Sequence, residues 1–239
     1  VATGWHCREC GGTELRAAIV GTRRTAEELG RAFPGVPVRT SGGGSVLDQV
    51  DDEPALVVAT PGAEPVAPGG YAAVLLLDGW LLLSRPDLRA GEEALRRWLA
   101  AAALARNAAS GGRVVVVAPA ELRPVQALVR WQPAWHAERE LADRASLHLP
   151  PAGRVAAVTG APDGVHEVLD GLELPAAAEL LGPVPVPESR DAGAERVLIR
   201  VPRRDGTALA AALKAAQATR SARKSAHPVK VELDPLVLG

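Results

Sequence analysis

Short apolar runs alternate with longer amphipathic stretches over the first two-thirds of the chain. Leu56–Thr60 and Ala73–Leu77 are continuous apolar runs, a pattern typical of strands buried on both faces. A stretch with helical spacing, Ala90–Asn107, follows them and is itself followed by another apolar run, Arg113–Ala118. Strand–helix alternation of this kind predicts a parallel α/β sheet covered by helices.

Shorter signals complete this region. The further predicted elements are a strand at Leu15–Val20, a helix from Arg24 to Phe33, a strand at Val36–Arg39 and a helix at Glu121–Val129. Thr25 and Glu28 have capping-box spacing, which places the start of the first helix beside them. The run Ser41-Gly42-Gly43-Gly44 predicts a turn.

The pattern changes near Pro150-Pro151, where a connecting helix over residues 133–149 ends. The elements predicted beyond it are strand Val155–Thr159, helix Gly164–Leu172, a Pro-rich passage Leu181–Pro187, strand Val197–Val201, helix Thr207–Ala222 and strand Val229–Leu233. We therefore expect two domains that meet near residue 150, the second a compact α+β unit.

Charge is unevenly distributed along the chain, although the net charge is only −1. The segment from Glu195 to Lys230 contains nine basic and two acidic residues, so it carries a net charge of +7 and the rest of the chain carries −8. The nine are Arg196, Arg200, Arg203, Arg204, Lys214, Arg220, Arg223, Lys224 and Lys230. Such a segment attracts polyanions, but a solvated basic face explains it equally well.

The chain has no Met and opens at Val1, so we expect a fragment of a longer protein. It has neither a signal-peptide pattern nor an apolar run of the ~18 residues that a membrane span needs. We therefore predict a cytoplasmic location and no membrane partner.

Cys7 and Cys10 form a CxxC pair followed by two glycines, which is half of a zinc knuckle. A tetrahedral site needs four ligands and the chain has no other cysteine, so the site would be completed by upstream cysteines. A redox pair or a chemically inert pair is the alternative.

Nucleotide-binding signals are weak. Gly21-Thr22 and Ala59-Thr60-Pro61-Gly62 follow strands and resemble phosphate-cradling turns, but ordinary strand-to-helix turns explain them as well. A dinucleotide-dependent α/β enzyme is a further alternative, but the sequence lacks the glycine fingerprint that such enzymes use to bind the cofactor. We interpret the five tryptophans, Trp80 and Trp98 among them, as core or domain-interface residues rather than base-stacking platforms.

A series of short strings, in the same order, resembles the primosomal protein N′ (PriA) family of replication-restart DNA helicases, from its last zinc-binding CxxC to its C-terminus. The strings are Cys7-Arg8-Glu9-Cys10-Gly11, Gly21-Thr22, Phe33-Pro34-Gly35-Val36, Asp78, Pro86-Asp87-Leu88-Arg89-Ala90, Glu138–Pro151, Leu181-Gly182-Pro183-Val184-Pro185 and Val231-Glu232-Leu233-Asp234-Pro235.

This resemblance implies four regions. Residues 1–12 would end a zinc-binding region, and residues 13–132 would be the second RecA-like (P-loop NTPase-type) helicase lobe with a parallel sheet. Residues 133–150 would be a connecting helix, and residues 151–239 the family's small α+β C-terminal domain.

Two family motifs depart from their pattern in this chain. Residues 59–70 lack the family's Gln and Lys-Gly, and of its arginine-rich motif only Arg106 remains within residues 101–110. An arginine finger contributes roughly 10³–10⁵ in rate. We therefore predict that the protein is not an enzyme, that it has no catalytic residue, and that any ATP or ADP site, marked by Arg106, is vestigial.

The resemblance implies a replication-restart factor that binds forked or single-stranded DNA and nucleates primosome assembly with other primosome proteins. It also implies a pocket for the acidic tail of single-stranded-DNA-binding protein at Arg203 and Arg204. We extend the anion-binding group to Arg200, Lys224 and Lys230. The alternative is an active ATP-dependent 3′–5′ DNA helicase whose first lobe lies upstream.

Overall fold

A computed structural model of the chain describes residues 21–77, 79–186 and 193–238. Cys7, Cys10 and the predicted strand Leu15–Val20 lie outside these ranges. The described residues form an α/β protein with two compact units. One comprises the described part of Val1–Leu81 with Arg97–Val117, and the other Leu82–Arg96 with Ala118–Gly239.

The described ranges contain both helices and strands, in single elements and in short runs of one kind. In chain order they are α1 (Thr22–Ala32), β1 (Val38–Ser41), β2 (Leu56–Ala59), β3 (Ala73–Leu76), α2 (Gly79–Leu83), α3 (Ala90–Ala102), β4 (Arg113–Val116), α4 (Arg123–Arg130), α5 (Pro133–Ser146), β5 (Gly153–Gly160), α6 (Pro162–Asp170), β6 (Glu179–Pro185), β7 (Glu195–Pro202), α7 (Gly206–Ala222) and β8 (Val229–Leu233). In none of the described ranges is a helix long and apolar enough to cross a membrane.

The first unit contains two short parallel sheets. β1 pairs with β2, from Val38 opposite Leu56 to Ser41 opposite Ala59. β3 pairs with β4 in the same parallel sense. The pairing is parallel, as the alternating pattern predicts, but among the described residues the four strands form two separate two-stranded sheets and not the single sheet expected.

The start of α1 differs from the prediction. The helix begins at Thr22, with Gly21 as its N-cap, so Thr25 lies inside the first turn and is not a cap. The Thr25 hydroxyl donates instead to the carbonyl of Gly21 at 3.5 Å. The predicted capping box is therefore wrong, because the N-cap is Gly21, four residues before the Thr25 cap that the pattern required.

Helix α3 ends at Ala102, five residues before the predicted end at Asn107. The chain then turns, and the backbone amide of Arg106 donates to the carbonyl of Tyr71 at 2.9 Å. The amide of Tyr71 donates in return to the carbonyl of Leu104 at 2.9 Å. Pairing with an extended segment thus takes the place of the last helical turn.

The second unit contains a four-stranded antiparallel sheet in the order β6-β7-β5-β8, as the predicted α+β composition requires. Strand β7 alternates buried apolar residues with less buried ones, and its buried residues meet α6 and α7 on one face of the sheet. The buried cluster on this face consists of Ala156, Val158, Val165, Val168, Val197, Ile199, Val201, Leu209 and Leu213.

Strand β6 occupies most of the passage that the sequence marks as Pro-rich. It pairs antiparallel with β7 and shows a register irregularity between Leu181 and Val184, around Pro183. Proline lacks an amide hydrogen, and strands at the edge of a sheet tolerate it for that reason. Because β6 lies at the edge of the sheet, this passage can form a strand, whereas its prolines alone predicted an irregular structure.

Candidate nucleic-acid interface

The link between β7 and α7 projects two arginines into solvent. Pro202 ends the strand, and Arg203, Arg204 and Asp205 form a short 3-10 turn before α7 begins. Arg203 is exposed, and within the described ranges its side chain has no hydrogen-bond or ion-pair partner. Arg204 is 79% exposed, with its Nε atom 3.8 Å from the carboxylate of Asp205.

The other end of α7 carries two more exposed cations. Arg223 caps the helix, and Lys224 follows it with φ of 53°. Lys214 lies between the two ends on the exposed side of the helix. Among the described residues none of these three has a side-chain partner. We refer to Arg203, Arg204, Lys214, Arg223 and Lys224 as the α7 cations.

A helix of 17 residues is about 25 Å long, so the α7 cations extend along one element over that distance. Guanidinium and ammonium groups without internal carboxylate partners retain their donors for an external anion. This arrangement is suited to contacting several phosphates of one nucleic-acid backbone.

Arg220 belongs to the same segment but has a structural role. It is buried, and its guanidinium donates to Glu167 at 3.2 Å, to the Ser225 hydroxyl at 3.1 Å and to the carbonyl of His227 at 2.5 Å. Hydrogen bonds from Ser225 and then Arg220 lower the pKa of Glu167. These bonds join α7 to α6 and leave Arg220 no role on the surface.

Arg200 is likewise engaged within the chain. One terminal nitrogen pairs with Glu179, and the other donates to the carbonyl of Leu147 at 2.7 Å. The hydrogen bond from Arg200 lowers the pKa of Glu179. Arg200 therefore lies outside the surface formed by the α7 cations, although the sequence places it in the same basic segment.

The remaining two basic residues of the segment each contact other residues of the chain. Arg196 donates to the Thr159 hydroxyl at 3.1 Å and to the carbonyl of Val237 at 3.3 Å. Lys230 lies 2.9 Å from Glu232 but is 69% exposed. Exposed pairs of this kind are weak and exchange readily with other anions.

In the first unit, the two turns that resemble phosphate cradles line one cleft of about 530 Å³. Thr22, at the start of α1, faces it together with Thr60, which follows β2, and Thr40 of β1. Gly42 has a φ of 145°, and a Cβ there would lie 2.4 Å from the Thr60 hydroxyl oxygen. Only glycine allows the backbone to approach Thr60 this closely.

Several donor groups converge on this cleft, although apolar atoms make up most of its lining and Glu27 also faces it. Parallel strands β1 and β2 both end at it, and α1 begins there with its first amides unpaired within the helix. Amides at a helix start and threonine hydroxyls are donors that suit phosphate oxygens. In the sequence the two turns are separate weak signals, because only the pairing of β1 with β2 brings them together.

Arg106 lies in the loop after α3 and is exposed. Its Nε atom donates to the carbonyl of Gly70 at 3.0 Å. Gly112 packs so closely against the Arg106 backbone that a Cβ there would lie 1.8 Å from its carbonyl oxygen. The loop is thus fixed on both sides, while the ends of the guanidinium group face outward.

Metal ligation falls outside what the structure describes. Cys7 and Cys10 are not among the described residues, and no cluster of three or more potential metal ligands occurs within 21–77, 79–186 and 193–238.

Tryptophan placement is only partly as predicted. Trp98 is buried, with 3% of its surface exposed, which confirms the prediction for that residue. Trp80 and Trp131 are exposed, at 44% and 57%, so a core position is wrong for these two, and a domain-interface position stays a prediction.

The structure also places one titratable side chain that sequence analysis did not assign to any role. His136 of α5 is 2% exposed, and neither ring nitrogen has a partner among the described residues. Burial lowers its pKa, against the opposing influence of Glu140 and Glu92.

The fold and the exposed cations together define a two-layer α/β domain with a basic surface, preceded by a region with short parallel sheets. Residues 145–236 match the family described as primosomal protein N C-terminal domain. The chain therefore contains that family's C-terminal domain, and over nearly its whole length it is similar to proteins named probable replication restart protein PriA.

Two relatives illustrate the match. The chain is 53% identical over 242 aligned residues to the probable replication restart protein PriA of Mycobacterium leprae, covering 98% of this chain and 37% of that protein. It is 50% identical over 249 residues to the probable replication restart protein PriA of Mycobacterium tuberculosis H37Rv, covering 98% and 38%. The chain thus spans less than two-fifths of the length of these relatives.

The prediction that the protein is not an enzyme is wrong. The matching relatives are PriA proteins, the family that sequence analysis identified as DNA helicases, and the chain corresponds to only 37–38% of their length. Departures at residues 59–70 and 101–110 within such a part do not exclude enzymatic activity for a member of that family.

Proposed function

We propose that this chain is the DNA-binding C-terminal part of a replication-restart factor that recognises forked or single-stranded DNA and nucleates primosome assembly with other primosome proteins. In this proposal residues 13–132 form the second RecA-like helicase lobe, residues 133–150 the connecting helix and residues 151–239 the C-terminal domain. The observation that carries the proposal is the set of α7 cations.

Charge pairing supports this proposal. Internal carboxylates neutralise Arg200 and Arg220, yet the α7 cations remain exposed with at most a loose contact at 3.8 Å. An ordinary solvated basic face would have its charges interspersed with acidic ones, whereas Asp205 is the one acidic residue between Arg203 and Lys224. Uncompensated cations of this kind raise the local concentration of polyanions.

The same surface suits the acidic tail of single-stranded-DNA-binding protein. The resemblance aligns Pro202-Arg203-Arg204 with the family's Pro-Ser-Arg, which carries over one arginine at Arg204 and puts Arg203 in place of the serine. A guanidinium binds a terminal carboxylate in a bidentate manner. Arg204 is the residue we assign to this contact, with Lys224 and Lys230 as further anion contacts.

The cleft of the first unit gives the proposed helicase lobe a phosphate-binding role. Thr22, Thr40 and Thr60 present hydroxyl groups around the start of α1, which favours a negatively charged ligand. In the same proposal Arg106, which does not line this cleft, marks a vestigial ATP or ADP site of the lobe. We assign Cys7 and Cys10 to a zinc site whose remaining thiolate ligands lie upstream.

Charge reversal at Arg203 and Arg204 tests the proposal. We expect R203E/R204E to bind forked DNA at least tenfold more weakly at low salt. The slope of log affinity against log salt should fall in magnitude by up to about 1.8, because each duplex phosphate contact contributes about 0.9. Fluorescence anisotropy with a labelled fork measures both quantities.

The matched control is R31E/R39E, which makes the same change in net charge at two exposed arginines of the first unit. A loss of affinity confined to R203E/R204E supports the assignment. Equal binding by the two variants and the unchanged chain at low salt would contradict it.

A further inference from the structure

Helix α4 ends in an unusual way. Its C-cap residue is Trp131, in the left-handed conformation with φ of 54° and ψ of 44°. Glycine or asparagine normally occupies such a position, because a bulky side chain is strained there. The strain is not offset by burial, since Trp131 is 57% exposed and the neighbouring Val129 is 73% exposed. A strained and exposed aromatic residue points to a role in binding.

Two arginines pack against a second tryptophan, Trp135, four residues further along the chain. The guanidinium carbons of Arg130 and Arg139 each lie 5.9 Å from the ring centroid of Trp135, which is half-buried at the start of α5. Within the described parts of the chain neither arginine has a hydrogen-bond or ion-pair partner. The ring holds the two cations in place while their N–H donors remain free.

Acidic residues nearby are mostly neutralised. Asp143 pairs with Arg123, and Glu140 lies 3.4 Å from Arg144. Of the carboxylates on α5 only Glu138 has no partner among the described residues. The segment from Arg130 to Arg139 therefore combines an exposed tryptophan with net positive charge.

We propose that Arg130, Trp131, Trp135 and Arg139, the Trp131 patch, form a binding site for single-stranded nucleic acid. An unpaired base stacks on the exposed indole of Trp131, and the two guanidinium groups contact the adjoining phosphates. A single strand is the matching ligand because its bases are open to stacking, whereas those of a duplex are covered on both faces. A protein partner is disfavoured because the two arginines retain unused donors for oxygen-rich groups.

This site rests on the proposed DNA-binding function for the identity of its ligand, but not on the α7 cations. The two can therefore fail separately. The Trp131 patch predicts a preference for single strands, whereas loss of the α7 cations weakens binding to forked duplex.

The first test replaces Trp131 with asparagine in the 239-residue chain. Asparagine tolerates the left-handed conformation, so W131N should keep or raise the melting temperature. Its affinity for a labelled thymidine oligonucleotide should fall roughly 5- to 150-fold, the range that stacking of one base supplies. The control W80A removes another exposed tryptophan and should bind as the unchanged chain does.

The second test uses R130Q/R139Q, which retains the indole. The slope of log affinity for the single strand against log salt should fall in magnitude by about 1.4, since each single-strand phosphate contributes about 0.7. Affinity for a blunt duplex should remain unchanged in W131N and fall only in R203E/R204E.

The outcomes separate the proposals. Selective loss of single-strand affinity in W131N and R130Q/R139Q supports the Trp131 patch whatever R203E/R204E shows. Unchanged single-strand affinity in both variants, or no measurable affinity of the unchanged chain, overturns it and leaves a protein partner as the reason for the exposed tryptophan.

Discussion

Replacing Arg144 with methionine should loosen the unit that contains the C-terminal domain. Arg144 lies on α5 and its side chain is only 5% exposed. One of its terminal nitrogens lies 2.6 Å from Glu92, 3.4 Å from Glu140 and 2.9 Å from the carbonyl of Leu88. The other donates to the carbonyl of Pro150 at 3.4 Å. A single guanidinium thus joins three segments of that unit.

The magnitude follows from what the substitution leaves behind. Removing one partner of a buried ion pair costs about 3–5 kcal/mol, because the other charge remains uncompensated. Here the side chains of Glu92 and Glu140 are 39% and 26% exposed, so water partly solvates the stranded carboxylates. We therefore expect R144M to lower the local free energy of unfolding by about 2–3 kcal/mol.

Hydrogen exchange of the amides in α5, followed by mass spectrometry, measures this local stability. A loss of 2–3 kcal/mol corresponds to exchange roughly 30- to 150-fold faster. R123M, which removes an exposed ion pair to the same helix, should change the exchange little. The triple variant R144M/E92Q/E140Q should recover part of the loss. Exchange in R144M within threefold of the unchanged chain would refute the reasoning.

Two further predictions concern single positions. Burial lowers the pKa of His136, so the stability that its neutral form contributes is complete above the unfolded pKa near 6.5 and is lost as pH falls below that value. Urea denaturation should show the free energy of unfolding decreasing by up to about 1.4 kcal/mol per pH unit in that range. The variant H136L should flatten this pH profile. Gly42→Ala should destabilise the first unit by about 2–4 kcal/mol, because the new Cβ meets Thr60 at 2.4 Å in a backbone conformation that favours glycine. The control Gly43→Ala has a φ of 58° with open space around the new Cβ, so it should lower the free energy of unfolding by only about 1 kcal/mol. Hydrogen exchange of the amides in β2 measures both changes. Equal losses of stability in the two variants would contradict this account.

Local sequence patterns predicted the secondary structure best where burial imposes them. Strand β7 and helix α7 have the expected spacing of apolar residues because both contribute to one buried cluster. The errors occur where a distant partner decides the outcome. Tyr71 ends α3 early by pairing with the loop after it, and β7 makes a strand of the Pro-rich passage by pairing with it.

The candidate interface shows the same limit. The sequence gives nine basic residues in one segment but cannot tell which of them have partners. Glu167 lies 53 residues before Arg220, and Glu179 lies 21 before Arg200, so both pairs form only on folding. The exposed end of α4 was missed because Trp131 has no marker in the sequence, apart from standing where a helix would normally end in glycine.

Strand β6 forms one outer edge of its sheet, and its surface is apolar at Leu180, Leu181 and Val184. An apolar edge of this kind invites pairing with a second chain and, from there, aggregation. Pro183 and Pro185 remove two amide hydrogens from that edge, so an incoming strand would find an interrupted hydrogen-bonding pattern. The prolines therefore protect the sheet against self-association, and replacing them during engineering would put the solubility of the chain at risk.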